Sequence, residues 1–306
     1  MRIGTGLAEP GGLDALDGLA SQLRVAADDG FSSAWLSNIF GLEALTALAV
    51  AGRQVPGIEL GTAVVPSYPR HPAVLAQQAL TADLALGGRL TLGIGLSHQI
   101  VIQDMYGYSF ERPARHMQEY LAVLLPLLAG EPASFDGATL HAHIGLSVPR
   151  SPRRVPVLLA ALAPRMLGLA GELADGTVLW MTGPATVRDY IVPSITTSAA
   201  AAGRPSPRVV CMLPVCVTDD PAQARADADK AMAIYGQLPS YRAMLDKEGA
   251  GGPGDVALVG DEDAVAGQIR ALAGYGVTDF VAAEYARGPD GPRTRALLRT
   301  LAAEFS

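Results

Sequence analysis

Between Leu90 and Leu121 the chain reads LTLGIGLSHQIVIQDMYGYSFERPARHMQEYL, the stretch richest in residues that suit chemistry. Gly93 and Gly95 close an apolar run, and His98 follows three residues after the second glycine. Glycines at a strand end let a flat ring or a phosphate approach the backbone. The alternative is a crowded rim with room only for small residues. An unperturbed imidazole titrates near neutrality, so His98 suits proton transfer; it equally suits a hydrogen-bonded loop position. Glu9, Tyr68 and Tyr106 are further proton-donor candidates, and Arg112, Arg115 and His116 either face the same place or form a solvated helix face.

Two other stretches carry anion-binding chemistry. In GTAVVPSYPRHP, Arg70 and His71 either hold an anionic group or, in the case of His71, cap the helix that starts at Pro72. In AALAPRM, Pro164 fits a first helical turn, whose free N–H groups bind anions. Arg165 adds a charge-assisted donor there, or is simply solvated. Thr182-Gly183-Pro184 repeats the pattern. Other motifs fall away. His141 and His143 have no further His or Cys cluster to complete a tetrahedral metal site, so no metal is expected. GIGLSH lacks the Gly-x-Ser-x-Gly order of a nucleophile elbow, and no Gly-x-Gly-x-x-Gly follows the first strand.

These groups need a frame. Eight apolar runs, Ile3–Leu7, Ala34–Ser37, Leu60–Val65, Leu90–Gly95, Val157–Ala161, Thr177–Met181, Val209–Val217 and Thr278–Glu284, alternate with helix-length amphipathic stretches. Strands alternating with helices make parallel βαβ units, and eight units predict an α/β protein of the (β/α)8 TIM-barrel type, with its chemistry at the C-terminal ends of the strands. Helices are expected at Leu13–Asp29, Leu42–Gly52, across Ala222–Lys247 and over DEDAVAGQIRALAGYG, where Asp261 and Asp263 suit the N-terminus. Residues 1–306 read as one domain. The rhythm breaks between 97 and 155, so that segment is expected as an insertion over the C-terminal face.

Of the 306 residues, 49% are hydrophobic and 17% charged, which suits a large doubly covered parallel sheet. The net charge of −7, without a basic stripe, speaks against nucleic acid. No run reaches the roughly 18–20 apolar residues of a membrane span. The opening MRIGTGLAE lacks a signal-peptide layout. Cys211 and Cys216 lie in one apolar run as core residues of a reducing compartment. A soluble cytoplasmic protein acting on a small molecule, without a nucleic-acid or membrane partner, is expected.

GIGLSHQ followed by MYGYSFERPARHMQEYL resembles the bacterial luciferase-like superfamily of flavin and deazaflavin oxidoreductases. Within it the chain looks most like enzymes that use coenzyme F420, such as the methylenetetrahydromethanopterin reductases. The resemblance spans nearly the whole length and is densest over 58–120 and 255–285. Leu96-Ser97 stands where flavin-type members usually have Gly-Trp, which favours the deazaflavin over FMN. The resemblance implies a non-prolyl cis peptide at Ala63–Val64 pressing on the cofactor ring. It implies Asn38, Ile94 and Gly95 beside the ring system, Leu162, Ala163 and Pro164 (with Arg165) at the phosphate, and Thr182 and Gly183 as a second phosphate-side turn. It also implies a homodimer.

Two departures matter. Ile39 and Leu96 occupy the places of a catalytic His and Glu in the family's sugar-phosphate dehydrogenases, so the base that would take a hydroxyl proton is gone. That suits hydride delivery to an electron-poor C=C or C=N bond, with His98, then Glu9 or Tyr106, as proton source. The alternatives are an FMN-dependent luciferase-like monooxygenase and a non-catalytic flavin-binding barrel. An aldolase would need a strand-end lysine, and none is present.

Overall fold

The computed structural model describes residues 1–306. Its eight main strands are β1 (Arg2–Gly6), β2 (Ser33–Leu36), β3 (Glu59–Thr62), β4 (Leu90–Gly95), β5 (Val157–Leu159), β6 (Gly176–Trp180), β7 (Arg208–Val217) and β8 (Asp279–Glu284). Each pairs in parallel with the next, and β8 pairs with β1, so the sheet closes into a barrel. All eight runs expected from the sequence are present. The third is interrupted: regular pairing of β3 ends at Thr62, and Val65–Pro66 rejoins the sheet against Ile94 and Gly95. β7 outruns the barrel, and its last residues pair with a short strand, Leu258–Gly260, that the sequence pattern does not reveal.

The helices are α1 (Ala15–Asp28), α2 (Ala44–Gly52), α3 (Pro72–Ala85), α4 (Pro113–Ala129), α5 (Pro164–Glu172), α6 (Val192–Ala201), α7 (Pro221–Ala231), α8 (Pro239–Glu248), α9 (Glu262–Gly274) and α10 (Asp290–Glu304). Asp261 caps α9 by accepting from the Ala264 N–H, as the acidic start of that helix predicts. The expected continuous helix over Ala222–Lys247 is instead three pieces. Pro239 cannot continue a helix, and it opens α8 after the short Ala233–Gln237 turn.

The segment 97–155, expected as an insertion after the fourth strand, carries a long helix and a two-stranded hairpin. α4 is the barrel's own fourth helix, packed between α3 and α5. The hairpin Ala133–Asp136 and His141–Ile144 lies against its flank. Glu119 ties the two together: burial pushes its carboxyl up, but Arg115 and the Thr139 and Ala138 donors hold it down at about 2. Only residues 97–112, with one π-helical turn at Val101–Met105, remain to border the mouth.

Inside the barrel, side chains alternate with period two. Trp35, Leu158, Val178, Val210 and Val281 form a buried layer separate from the 76-residue core between sheet and helices. Below it Arg208 donates to Asp279 at 2.8 and 2.9 Å and pairs with Glu59 at 2.7 Å, while Thr91 donates to Glu59 at 2.8 Å. Burial opposes ionisation of both carboxyls, yet the two arginines beside them, Arg208 and Arg2, hold them below their ordinary range. This network seals the N-terminal end. Cys211 and Cys216 are buried and unpaired.

Candidate active site

One step above the apolar layer, the inward positions are Gly6, Ser37, Ala63, Ala160, Trp180, Met212 and Ala283, and all are partly exposed. The small residues come from β1–β3, β5 and β8, and the large ones from β6 and β7. The mouth is therefore hollow on one side and walled on the other.

The Ala63–Val64 peptide on this floor is cis, as the family resemblance implies. Its neighbours explain the two glycines. A methyl group at Gly93 would lie 2.0 Å from the Thr62 carbonyl oxygen and 3.0 Å from Val64 Cγ1. At Gly95 it would lie 2.7 Å from Val64 Cγ2 and 3.1 Å from Ala160 Cβ. The space is filled by Val64, so the crowded-rim reading of Gly93 and Gly95 holds. Ile94 points into the outer core at 0% exposure. The carbonyls of Ile94 and Gly95 are taken by the N–H groups of Ala160 and Ser67. The surface a ring would meet here is Ala63 and Val64.

The wall was not legible as a site from the sequence. Trp180, Tyr235 and Tyr241 stand edge to face, with centroids 5.6 and 5.3 Å apart, and Tyr241 meets the His98 ring at 5.4 Å. Segments after β7 thus lean across β6 and β5 to the loop after β4. Trp180 Nε1 is buried with no acceptor at hydrogen-bond distance, although the Tyr235 ring stands edge-on beside it. His98 is half-buried, and desolvation lowers its pKa below the ordinary imidazole range. Glu9 is exposed and lies against Gly41, and Tyr106 is 44% exposed in the 97–112 loop. The three proton-donor candidates do not converge. Asn38 accepts from the Ala44 N–H at 3.0 Å, capping α2, which leaves its amide NH2 as a donor.

The two turns expected at the phosphate differ decisively. Behind Thr182 and Gly183, the Glu248 carboxylate from α8 already accepts from the N–H groups of Ala185 and Thr186, at 3.0 and 2.6 Å. A methyl at Gly183 would lie 2.2 Å from Glu248 Cδ, and Thr182 is fully buried. This turn is an anion site filled from within, so Thr182 and Gly183 serve as its buttress. α5 is the opposite case. Ala163 stands at its cap without a side-chain bond, and Leu162 through Arg165 are at the surface. The first-turn N–H groups have no intrahelical acceptor, and Arg165 makes no ion pair. Tyr190 donates to the Leu162 carbonyl at 3.0 Å and carries Lys247 over its ring at 4.5 Å.

The strand-three end is anchored rather than open. His116 Nε2 meets Ser67 Oγ at 3.0 Å and stacks on Tyr68 at 3.9 Å, while Tyr68 stacks on Phe110 at 5.3 Å. Burial pushes the Tyr68 phenol up to about 12. Arg70 pairs with Glu43, and His71 accepts from the Ala73 N–H to cap α3.

The profile of the luciferase-like monooxygenase family matches residues 1–279. The chain belongs to this family. A 5,10-methylenetetrahydromethanopterin reductase of Methanolobus tindarius is 29% identical over 263 residues, covering 85% of this chain and 79% of the relative. The structure of the coenzyme F420-dependent tetrahydromethanopterin reductase from Methanopyrus kandleri superposes with a TM-score of 0.81 at 23% identity, over 100% and 99% of the two chains. A type II Baeyer-Villiger monooxygenase from Pseudomonas putida, in complex with FMN, gives 0.76 at 17% identity, over 100% and 97%.

Proposed function

We propose that this protein is a coenzyme F420-dependent oxidoreductase that moves a hydride between the reduced deazaflavin and a small organic substrate, by reduction of a C=C or C=N bond. The observation that carries this reading is the hollow floor of Ala63 and Val64 set beside the uncapped first turn of α5; the similarity to F420-dependent reductases supports it. The group fits what is present: an apolar recess for the ring, an unpartnered Trp180 Nε1–H donor beside it, and free N–H groups with Arg165 for a phosphate.

When bound, the deazaflavin supplies two-electron hydride chemistry and little oxygen activation. The protein's part is placement. Ala63 and Val64 block one face of the ring site, Asn38 offers an amide donor at its edge, and Leu162, Ala163, Pro164 and Arg165 hold the anionic end through backbone N–H groups and one guanidinium. Glu248 keeps the Thr182-Gly183 turn rigid and repels a competing anion. Tyr241 and Tyr235 exclude water from the His98 side. His98 serves as the proton relay: its imidazolium form, loaded from solvent hydronium, gives the proton to the anion left on the substrate by hydride acceptance and returns to neutral imidazole. A homodimer and a cytoplasmic location complete the proposal, supported by exposed Leu13 just before α1 and Val25, Val50 and Val74 on α1–α3, and by the two unpaired cysteines. No helix is long and apolar enough to cross a membrane.

Titration with F420 and with FMN tests the cofactor, and oxidation of reduced F420 by candidate acceptors tests the activity. Saturable F420 binding with turnover is expected. Preference for FMN with oxygen consumption would make the protein a monooxygenase, and tight binding without turnover on any acceptor would make it a carrier.

A further inference from the structure

We infer that the substrate is a neutral molecule with a hydrocarbon body, an unsaturated ketone or imine held by an apolar rim on the loops after β2 and β4; this deepens the F420 reading above and rests on it. Exposed apolar side chains on a soluble protein are ordinarily scattered singly. Here Ile39, Phe40, Ile100, Met105, Tyr106 and Tyr108 fall on two short loops at the C-terminal end of the barrel. Phe40 is 64% and Met105 59% exposed. β2 and β4 flank β3 in the sheet, so the two loops leave the barrel about 10 Å apart, two inter-strand spacings. The end of β3 and the Ala63–Val64 floor lie between them. A grouped apolar surface continuous with a site marks what that site receives.

Local structure holds these side chains out. Ile102, fully buried, pins the π-helical turn Val101–Met105 to the barrel, while Ile100, Met105 and Tyr106 around it stay exposed. Ser97 and Arg112 set the ends of the loop in left-handed backbone, at φ 61° and 49°, a conformation that side-chain-bearing residues keep mainly at functional segments. His98 meets Tyr241 at one end and Phe110 stacks on Tyr68 at the other, so the exposed apolar stretch lies between two fastened points. Across the mouth, Ile234 precedes Tyr235 of the aromatic wall and is 57% exposed. Charge narrows the class further. Segments 37–43, 63–71 and 96–112 carry three acids, Glu43, Asp104 and Glu111, against two bases, Arg70 and Arg112. Arg70 is taken by Glu43 at 3.0 Å, and Asp104 is exposed without an ion pair. This arc has no surplus cation, so a phosphate or carboxylate laid across it would lose water without gaining a partner. A hydrocarbon body loses nothing there and gains contact.

The experiment measures dissociation constants by equilibrium dialysis for alkyl-substituted cyclohexenones with tails of increasing length, and for counterparts whose tails end in a carboxylate. The protein is saturated with oxidised F420, which has no hydride to give. Each added methylene is expected to tighten binding roughly 2- to 3-fold, below the roughly 4-fold of complete burial. A terminal carboxylate should weaken binding by on the order of 10-fold. Phe40→Ser and Met105→Ser should bring the factor per methylene towards one without changing F420 affinity, while Ile144→Ser, on the distant hairpin, keeps the wild-type factor. All three residues are exposed, so no variant threatens folding. Affinity indifferent to tail length, tighter binding of the carboxylate forms, or wild-type factors in both rim variants overturns the rim assignment and leaves the cofactor reading intact. A change of sedimenting mass in Phe40→Ser or Met105→Ser also overturns it, by making the rim a contact between copies of the chain. Absence of saturable F420 binding, read beforehand by quenching of deazaflavin fluorescence, overturns the cofactor reading instead; the same ketone series on the free protein then decides the rim.

Discussion

Gly95→Ala separates the two readings of the strand-four glycines. The new methyl would lie 2.7 Å from Val64 Cγ2 and 3.1 Å from Ala160 Cβ. Carbon contacts settle at about 3.5–4.0 Å, so Val64 must move by roughly 1 Å on a floor already closed beneath it by the buried layer. Overpacking of that size costs roughly 1–3 kcal/mol, a fall in Tm of a few degrees for a chain of this length. Val64→Ala alone, at a partly exposed site, should cost about 1 kcal/mol. In the double variant the Val64 Cγ2 contact is gone and only the milder 3.1 Å approach to Ala160 Cβ remains, so Gly95→Ala should add much less to Val64→Ala than it costs in wild type. The assay is a double-mutant cycle by denaturant unfolding, with cofactor titration on all four proteins; the expected coupling is at least about 1 kcal/mol. If Gly95→Ala leaves stability unchanged but abolishes cofactor binding, and Val64→Ala gives no rescue, the glycine exists for a ring and the packing argument is wrong.

Other outcomes follow from the same geometry. Glu248→Ala strands the Ala185 and Thr186 N–H groups and should cost roughly 1–2 kcal/mol in unfolding free energy; cofactor affinity should persist, and its loss would return the phosphate to this turn. Asp279→Asn leaves Arg208 under-paired at a position 1% exposed. Its cost should be roughly 3 kcal/mol, seen in thermal melts with no change in cofactor affinity. Burial lowers the His116 pKa from 6.5 to about 4, partly opposed by Glu119. The neutral form is favoured on folding, so this stability is fully present above pH 6.5 and disappears as pH falls towards 4. Protonating this partly exposed ring in that window should cost roughly 1–2 kcal/mol of unfolding free energy. His116→Gln should flatten unfolding free energy against pH in that window; a slope equal to wild type would refute the assignment.

The barrel was readable because period and punctuation report on it directly. Val209–Val217 is too apolar for a strand with a wet face, and Asp261 before an amphipathic run is a helix start by composition. The site was readable only in outline. Ala163 and Pro164 signal an open helix start, and Thr182-Gly183-Pro184 carries the same signal. Yet one turn is free and the other is filled by Glu248, some 65 residues away in sequence. Trp180, Tyr235 and Tyr241 form one wall although nothing in their spacing associates them. A helix at 113–129 looks the same in a sequence whether it lies over the mouth or beside α3.

The sequence by itself therefore determined the eight βα units, the end of the barrel where chemistry belongs and the residues from which a site can be built. Local propensity and hydrophobic period act over a few residues, and these features need no more. Only the tertiary structure decided which helix N-terminus stays free, what fills the space above Gly95 and which aromatics meet across the mouth. Each of those depends on a partner brought in by chain closure, and steric exclusion and hydrogen-bond satisfaction act between atoms in space, whatever their separation along the chain.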